Sequence, residues 1–354
     1  MRVALICNNA RLAQVVLYTL RANGIKPLLI CNQRTAASLR SSRLVAGIMF
    51  FGDPQAERAA VVDAINRHNR RAPIDLVMSS DVDGLLLLSD IAGEIDPAVF
   101  PMSPRAVLER LNNKWTFRAL CEELDLSAPP TLFCSSATRL DVDQVAREIG
   151  FPAVVKPVAK WASIGMRVVR SAAELRDVIS DLEAAPEEIV IQTYIGGCDV
   201  GMGLFARSGK VTANCTFFCG DRDAAEFVDM PVFRRMGEAI TAATSFTGVA
   251  NFDARLDGAG RFWLLECNPR FFMRLGAARM CGLDLLNLPG APTATMSAAT
   301  GSYYPRGDIL SRAGIWRAVK RESSTRILMQ GIIEAMADPM PLVLRRFGYD
   351  KLLS

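Results

Sequence analysis

The segment from Val249 to Phe271 constrains the fold more than any other part of the chain. It reads as two β-strands, VANFDARL and FWLLECN, joined by a glycine-containing turn. Asp253 lies on the first strand, Glu266 and Asn268 end the second, and Arg270 follows. Carboxylate and amide oxygens suit Mg²⁺, whose remaining positions substrate phosphates commonly fill. The sequence therefore predicts a β-hairpin that carries a Mg²⁺–nucleotide site.

Length and charge limit the classes of protein to which the chain can belong. Its 354 residues are too many for one small core, which favours two or three subdomains. The net charge is only +4 and is spread along the chain, so we expect no nucleic-acid partner. No apolar run reaches the roughly 18–20 residues of a membrane span, and the first residues lack the apolar core of a signal peptide. We therefore expect no membrane association.

The cysteines and the single histidine restrict the chemistry. Nine cysteines at irregular spacing, without a C-x-x-C pair, argue against a zinc ribbon or a redox motif. Most lie in apolar runs, as is typical of buried thiols in a reducing compartment, so we expect a cytoplasmic protein. His68 lies in a polar segment that favours a surface position. Histidine-based triads and zinc sites need a well-placed histidine, so catalysis must use carboxylates, lysines, arginines and metal.

Residues 1–100 alternate between apolar strands and helical stretches. This βαβ pattern is typical of a small parallel sheet with helices on both faces. We predict strands at RVALIC, KPLLIC and Ile74–Met78, helices over Arg11–Asn23 and Ala59–His68, and a looser region at 32–58.

Two loops of this region bear on ligand binding. The turn after the first strand, CNNARLAQ, lacks G-x-G-x-x-G. Its absence argues against a dinucleotide site, and so against an NAD-dependent oxidoreductase, which is the least favoured function. The loop SSDVDG at 79–84 favours an N-cap for a helix over Leu85–Ile91, with a substrate contact as the alternative.

Prolines 97, 101 and 104 mark the end of this first unit. We expect a domain at 1–103, a second at 104–300 with a lid subdomain over about 130–195, and a helical extension at 301–354. The predicted fold class is α/β (α+β). The predicted elements beyond the boundary are helices over Arg105–Leu111 and Lys114–Leu124, an α/β unit, long strands at 198–206 and 210–219, a helix over Pro231–Ser245, and the hairpin.

Two lysines are candidates for phosphate binding. Lys156 ends a β-branched strand, and the loop after it, with Ser163 and Gly165, can close over phosphates. Lys114 adds charge to a helix N-terminus, which favours a nearby anion. Each has a plainer interpretation, as a common strand-terminal lysine and as an ordinary surface lysine.

A third segment, QTYI, ends another apolar strand and precedes two glycines. Gln192, Tyr194 and Ile195 could frame an adenine, and Asp199 could reach ribose hydroxyls. The plainer interpretation is an edge strand that ends at a Gly-Gly turn.

The order of these elements closely resembles that of the ATP-grasp enzymes. The resemblance covers nearly all of residues 1–285, and its most specific part is LLECNPR with Asp253 thirteen residues before Glu266. NKWTFRALCEELDLSAPPT is similar to the segment that carries the family's first lysine, and FPAVVKPVAKWASIGMRVV to its second lysine and phosphate loop. Among subgroups the chain looks most like carbamoyl-phosphate synthetase, biotin carboxylase and the related carboxylate–amine ligases.

The resemblance implies a two-lobed ATP-grasp fold behind a small α/β domain, with ATP and one or two Mg²⁺ (or Mn²⁺) ions. The residues that it implies are Lys114 and Lys156 for phosphates, with Ser163 and Gly165 in the phosphate loop; Gln192, Tyr194 and Ile195 for adenine and Asp199 for ribose; Asp253, Glu266 and Asn268 for metal; and Arg270 for the transferred phosphoryl group. The sequence departs from the family's pattern in its single loop glycine beside Trp161, in Gln192 where glutamate is common, and in Asp199 where glutamate is usual.

Arg255 is a further candidate, because a strand period of two places it on the same face as Asp253. It could bind a substrate carboxylate, or it could pair with Asp257. The implied function is an ATP-dependent ligase that activates a carboxylate as an acyl phosphate and couples it to an amine, or to a thiol. A silent ATP-binding sensor of the same fold is the alternative. The expected partners are small-molecule carboxylates and amines, and relatives of this kind often form homodimers.

Overall fold

The computed structural model describes residues 1–136, 140–158, 165–182, 188–220, 225–280, 283, 285–286, 301–303, 336 and 338. Three sheets organise this part of the chain, and each lies in a different stretch of the sequence. No helix among these residues is long and apolar enough to cross a membrane.

The first sheet is parallel throughout, as the βαβ pattern predicts. Its strand order is β3-β2-β1-β4. Along β1, Leu5 and Cys7 pack with the α1 and α2 side while Ala4 and Ile6 pack with the α3 and α4 side, so helices cover both faces. The elements are β1 (Val3–Cys7), α1 (Ala10–Ala22), β2 (Leu28–Asn32), α2 (Gln33–Leu39), β3 (Gly47–Phe51), α3 (Arg58–Arg71), β4 (Leu76–Ser79) and α4 (Val82–Ile91).

The region at 32–58 is more ordered than the sequence predicts, because it contains α2 and β3. The Asn32 side chain accepts a hydrogen bond from the Thr35 amide (2.8 Å), which caps α2. β3 is an edge strand without a fully buried residue, and its Phe50 is 62% exposed. An edge strand of five residues has no alternating pattern strong enough to be recognised.

Two helices connect the first sheet to the rest of the chain: α5 (Arg105–Asn112) and α6 (Lys114–Glu123). The Arg105 guanidinium, on α5, forms two hydrogen bonds with the Asp90 carboxylate at the end of α4 (2.8 and 2.5 Å). This bidentate pair lowers the pKa of Asp90.

The second sheet is antiparallel and has the order β5-β8-β6-β7. Its four strands and two helices share a separate apolar core around Val155, Leu175 and Ile191. This stretch corresponds to the predicted lid. The elements are β5 (Thr131–Cys134), α7 (Val142–Glu148), β6 (Ala153–Pro157), β7 (Arg167–Val169), α8 (Ala172–Leu182) and β8 (Ile189–Thr193).

The third sheet, also antiparallel, has the order β13-β12-β9-β10-β11-β14. Phe233 and Phe117 pack on one face, and Phe217 and Phe272 pack on the other. The elements are β9 (Cys198–Arg207), β10 (Lys210–Cys219), β11 (Ala225–Phe227), α9 (Pro231–Ala243), β12 (Gly248–Leu256), β13 (Phe262–Asn268), α10 (Leu275–Met280) and β14 (Gly301–Tyr303).

The C-terminal part is described only at a few residues. Residues 301–303 extend the third sheet as β14, whereas the sequence predicts a helical extension there. Asp338 is buried against the first domain, where its carboxylate accepts hydrogen bonds from the Ser42 hydroxyl (2.6 Å) and the Arg43 amide (3.0 Å). The remainder of the predicted extension lies outside the described residues.

Candidate active site

The hairpin brings its two acidic residues face to face. β12 and β13 pair antiparallel, and their register places Asp253 directly opposite Glu266. The register shifts immediately after this pair, which is the mark of a β-bulge. The strand pairing that the sequence predicts is thus formed, and it brings together two carboxylates that are thirteen residues apart in the chain.

The pKa values of the two carboxylates are shifted in opposite directions. Burial, followed by the negative charge of Glu266, raises the pKa of Asp253 to about 7. Burial opposes ionisation of Glu266 as well, but the charges of Lys114 and Lys156 outweigh it and lower the pKa of Glu266. An acid pair of this kind is more stable with additional positive charge between its members.

Asn268 lies between the carboxylates and Arg270. Its amide nitrogen donates to Asp253 (3.0 Å) and to Glu266 (3.3 Å), and its amide oxygen accepts from Arg270 Nη2 (2.8 Å). The orientation of an amide follows from its hydrogen-bond partners, and a cation beside the carboxylates would favour the opposite orientation, with the oxygen facing the ion. Two carboxylates and an amide oxygen are a donor set that fits Mg²⁺.

Of the three proposed metal ligands, two, Asp253 and Glu266, are carboxylates, and the third, Asn268, is an amide. Among the residues that the structure describes, no group of three or more His, Cys, Asp or Glu side chains could hold an ion. The hairpin site therefore leaves several coordination positions to other ligands, as Mg²⁺ sites that bind substrate phosphates do.

Lys114 is buried beside this acid pair. It is the first residue of α6, whose N-cap Asn113 accepts hydrogen bonds from the Trp115 and Thr116 amides. Its ammonium lies 3.6 Å from Glu266 Oε2 and 3.4 Å from the Val158 carbonyl oxygen, and the residue is 8% exposed. The interpretation of Lys114 as an ordinary surface lysine is therefore wrong.

Lys156 approaches the same place from the second sheet. It lies on β6, is 9% exposed, and donates to Gln192 Oε1 on β8 (2.8 Å). Gln192 in turn donates to the Thr131 hydroxyl (3.1 Å). Burial lowers the pKa of Lys156, and Glu266 opposes that shift. Since Gln192 is neutral, its oxygen binds the ammonium without supplying the full charge that a glutamate there would give.

One cavity of about 280 Å³ joins these groups. Its walls come from the second sheet, from α6 and from the hairpin, so the three predicted segments meet around a single volume. The lining residues include Lys114, Lys156, Met166, Asp199, Asp253 and Glu266. Two buried ammonium groups that face two carboxylates across a cavity suit a polyanion that brings its own divalent cation.

The predicted adenine segment connects the second sheet to the third. β8 lies between β5 and β6, so the alternative interpretation of QTYI as an edge strand is wrong. Gln192 is buried in β8, whereas Tyr194 is 40% exposed. Asp199 is exposed at the start of β9 and lines the cavity.

Arg255 lies beside this segment and does not pair with Asp257. Its Nη1 forms an ion pair with Asp199 Oδ1 (2.7 Å), and its other nitrogens donate to carbonyl oxygens of the segment. Asp257 instead accepts from the Trp263 indole and from turn amides. The alternative pairing within the hairpin is therefore wrong.

The phosphate-loop candidates are only partly described. Ser163, like Trp161, lies outside the described residues. Gly165 has a positive φ of 77°, and a Cβ there would lie 2.8 Å from Pro157 Cγ. This position requires glycine because both the backbone conformation and the available space exclude a side chain.

A second cavity of about 80 Å³ adjoins the first, and most of the residues that line it are not among the predicted site residues. It lies between the first domain and the hairpin, and Lys114, Glu266, Asn268 and Arg270 form one side. The opposite side consists of Asn8, Asn9, Leu12, Asp81, Val82 and Asp83. The sequence features that point to this cavity are the polar residues after the first strand and the SSDVDG loop.

Asp81 fulfils the N-cap role that the sequence favours for that loop. Its Oδ1 accepts from the Gly84 amide (3.0 Å), and its Oδ2 accepts from the Asn8 and Asn9 amides (2.8 and 3.1 Å). The cap thus joins the N-termini of α1 and α4 and shapes the wall of the second cavity.

Comparison with known proteins finds similarity to D-alanine–D-alanine ligases. The family model described as the D-ala D-ala ligase C-terminus matches residues 120–221. A D-alanine–D-alanine ligase from Pseudomonas putida (strain GB-1) is 28% identical over an alignment of 306 residues, gaps included, that covers 72% of this chain and 93% of the relative. The corresponding enzyme from Aquifex aeolicus is 22% identical over an alignment of 222 residues that covers 51% of this chain and 76% of the relative.

Solved structures share the fold at lower identity. An L-amino acid ligase from Bacillus licheniformis superposes with a TM-score of 0.61 at 18% identity, covering 81% of this chain and 72% of that one. A biotin carboxylase from Campylobacter jejuni gives a TM-score of 0.61 at 17% identity and covers 84% and 73%. These likenesses confirm the predicted fold class.

Proposed function

We propose, from the premise that this chain belongs to the ATP-grasp superfamily, that it is an ATP-dependent, ADP-forming ligase that joins a carboxylate to an amine. The observation that carries the proposal is the convergence of Lys114 and Lys156 with Asp253 and Glu266 around one cavity. The relatives named above are ligases, and a purK enzyme of the same fold has been solved with ADP.

In this proposal the larger cavity holds the ATP phosphates. Lys114 and Lys156 neutralise phosphate charge, and they are buried, which strengthens their electrostatic effect. Asp253, Glu266 and Asn268 would hold Mg²⁺, which supplies charge neutralisation and orientation of the phosphates when bound. Burial and the charge of Glu266 raise the pKa of Asp253, and a cation bound between the two carboxylates would offset both effects.

The smaller cavity provides a place for the acid and the amine. Arg270 lines it, and burial lowers the pKa of its guanidinium even though the charges of Asp253 and Glu266 oppose the shift. A guanidinium can hold a carboxylate or a phosphoryl group with two parallel hydrogen bonds. We assign Arg270 to the acyl phosphate that forms when the substrate carboxylate attacks the γ-phosphate.

The reaction then depends on the exclusion of water from the active site more than on further catalytic groups. Phosphoryl transfer depends on position and charge neutralisation. The acyl phosphate must be kept from water until the amine attacks its carbonyl carbon and phosphate leaves, and we assign the second sheet to the lid that excludes it. The amine binds neutral or passes its proton to a carboxylate, so no histidine is required.

The proposal is tested by ADP release with pooled carboxylates and amines, with mass detection of the product. Activity should require both ATP and a divalent cation, and Glu266→Ala should abolish it. Glu122→Ala, which alters an exposed glutamate paired with Arg118 on α6, is the matched control. Nucleotide binding without ADP release across the whole screen would instead support a silent sensor.

A further inference from the structure

The segment from Tyr194 to Asp199, here called the strap, joins the second sheet to the third. It runs from the end of β8 to the start of β9 and contains Gly196 and Gly197. The Tyr194 amide still bonds to the Pro152 carbonyl oxygen (3.1 Å) of the second sheet. Beyond Tyr194, the strap depends on contacts from the third sheet to fix its path.

One side chain supplies most of those contacts. Arg255 Nε donates to the Ile195 carbonyl oxygen (3.0 Å) and Nη2 donates to the Gly197 carbonyl oxygen (2.7 Å). Nη1 forms the 2.7 Å ion pair with Asp199, and the guanidinium carbon lies 5.8 Å from the centre of the Tyr194 ring. The planar fork of arginine therefore binds four of the strap's residues at once.

Gly197 holds the strap against the same strand. It has a φ of 108°, and a Cβ at this position would overlap the Leu256 carbonyl oxygen on β12. The strap backbone thus lies against the strand that carries Arg255. The guanidinium and this backbone contact fix the strap to β12 from two adjacent positions.

These contacts use all the guanidinium nitrogens of Arg255. Its side chain is 17% exposed, so little of it faces solvent. Three of the five guanidinium N–H groups are engaged in this way, so a substrate carboxylate would have only the two remaining N–H groups of a largely buried side chain. Asp199 also lines the larger cavity, which places the strap at its wall.

We propose that Arg255 is a positioning residue for the nucleoside part of ATP: it holds the strap in the shape that binds the adenine and the ribose. This inference rests on the proposed function, since it presupposes that ATP occupies the larger cavity. It assigns Arg255 to the base and ribose end of the nucleotide and removes it from the binding of the substrate carboxylate. The phosphate end depends on Lys114 and Lys156, which Arg255 does not contact.

The test compares binding of the whole nucleotide with binding of its phosphate part alone. Calorimetric titration of the full chain with Mg·ATP and with Mg·tripolyphosphate, which has no base or ribose, compares wild type, Arg255→Ala and Arg255→Lys. Arg261→Ala is the matched control, because it removes another arginine side chain of the same hairpin, one that lies over the Trp263 ring. Melting temperatures of all four proteins show whether each remains folded.

We expect Arg255→Ala to weaken ATP binding about 10-fold or more, the effect of losing several charge-assisted hydrogen bonds, with tripolyphosphate binding unchanged within about twofold. Arg255→Lys should lie between, because an ammonium keeps the charge beside Asp199 without the fork. If Arg255→Ala fails to fold, Arg255→Lys carries the same comparison.

Three results would overturn the inference. Equal losses for ATP and tripolyphosphate would show that Arg255 merely supports the whole fold. Unchanged binding of both, with a raised KM for the substrate acid, would assign Arg255 to that acid. Absence of ATP binding in the wild-type protein would refute the proposed function itself, and the inference with it.

Discussion

Replacement of Lys156 by methionine should strongly lower turnover while changing the free energy of unfolding only a little. The substitution removes a buried ammonium but keeps a long, unbranched side chain in nearly the same volume. It leaves Gln192 Oε1 without the donor that now lies at 2.8 Å. It also takes one positive charge away from Glu266, whose pKa that charge helps to lower.

The substitution changes the free energy of unfolding in two ways that have opposite signs and similar sizes. A buried acceptor without a partner costs about 1–3 kcal/mol. Removal of a buried charge relieves a desolvation penalty of order several kcal/mol, which is partly offset by the lost attraction to Glu266. We therefore expect the free energy of unfolding to change by less than about 2 kcal/mol in either direction. Loss of one electrostatic stabiliser from the phosphate site should lower turnover by about 10²–10³-fold.

The assay pairs urea unfolding, followed by circular dichroism, with ADP release on the same preparation. Lys210→Met, at the exposed turn between β9 and β10, is the control for the loss of a lysine. Turnover within twofold of wild type would refute the role of Lys156 at the phosphates. A loss of stability above about 4 kcal/mol, with unfolding still two-state, would refute the reasoning about its buried charge.

Two further predictions concern stability. Gly203→Ala should lower the free energy of unfolding by about 1–3 kcal/mol, because its Cβ would overlap the Phe272 ring, whereas Gly258→Ala, where a Cβ meets nothing within 4 Å, should be nearly neutral; equal urea midpoints for the two would contradict this. Asp90→Asn should cost about 1 kcal/mol at neutral pH, since its pair with Arg105 retains solvent contact. Because that pair lowers the pKa of Asp90, the difference from wild type should be complete above the ordinary Asp pKa of about 3.9 and should vanish as the pH falls through the lowered pKa; a difference independent of pH would contradict this.

Sequence patterns predict those parts of the fold where local signals agree with the final packing. The hairpin at 249–271 and strands β1, β2 and β4 of the first sheet have strong local signals, and β1 is buried on both faces as its unbroken apolar run indicates. β3 escaped recognition because it is a short edge strand, and α2 because it has only two turns. Their existence depends on tertiary contacts that leave little trace in local sequence.

In the candidate site, too, local patterns predict some features, whereas others depend on tertiary packing. The acid pair could be predicted because strand pairing alone places Asp253 opposite Glu266. The partners of Arg255 could not, because Asp199 lies 56 residues away and Asp257 is a nearer candidate in sequence. Asn8 and Asn9 were missed for a related reason, since they face the hairpin only after the first domain has packed against it.

The most direct test of the central claim is ADP formation by the purified chain with Mg²⁺, ATP and the pooled carboxylates and amines, compared with the same mixture containing EDTA and with Glu266→Ala. ADP should form together with a condensed acid–amine product in the first case, and neither should form in the other two. Equal ADP and product from wild type and Glu266→Ala would contradict the claim.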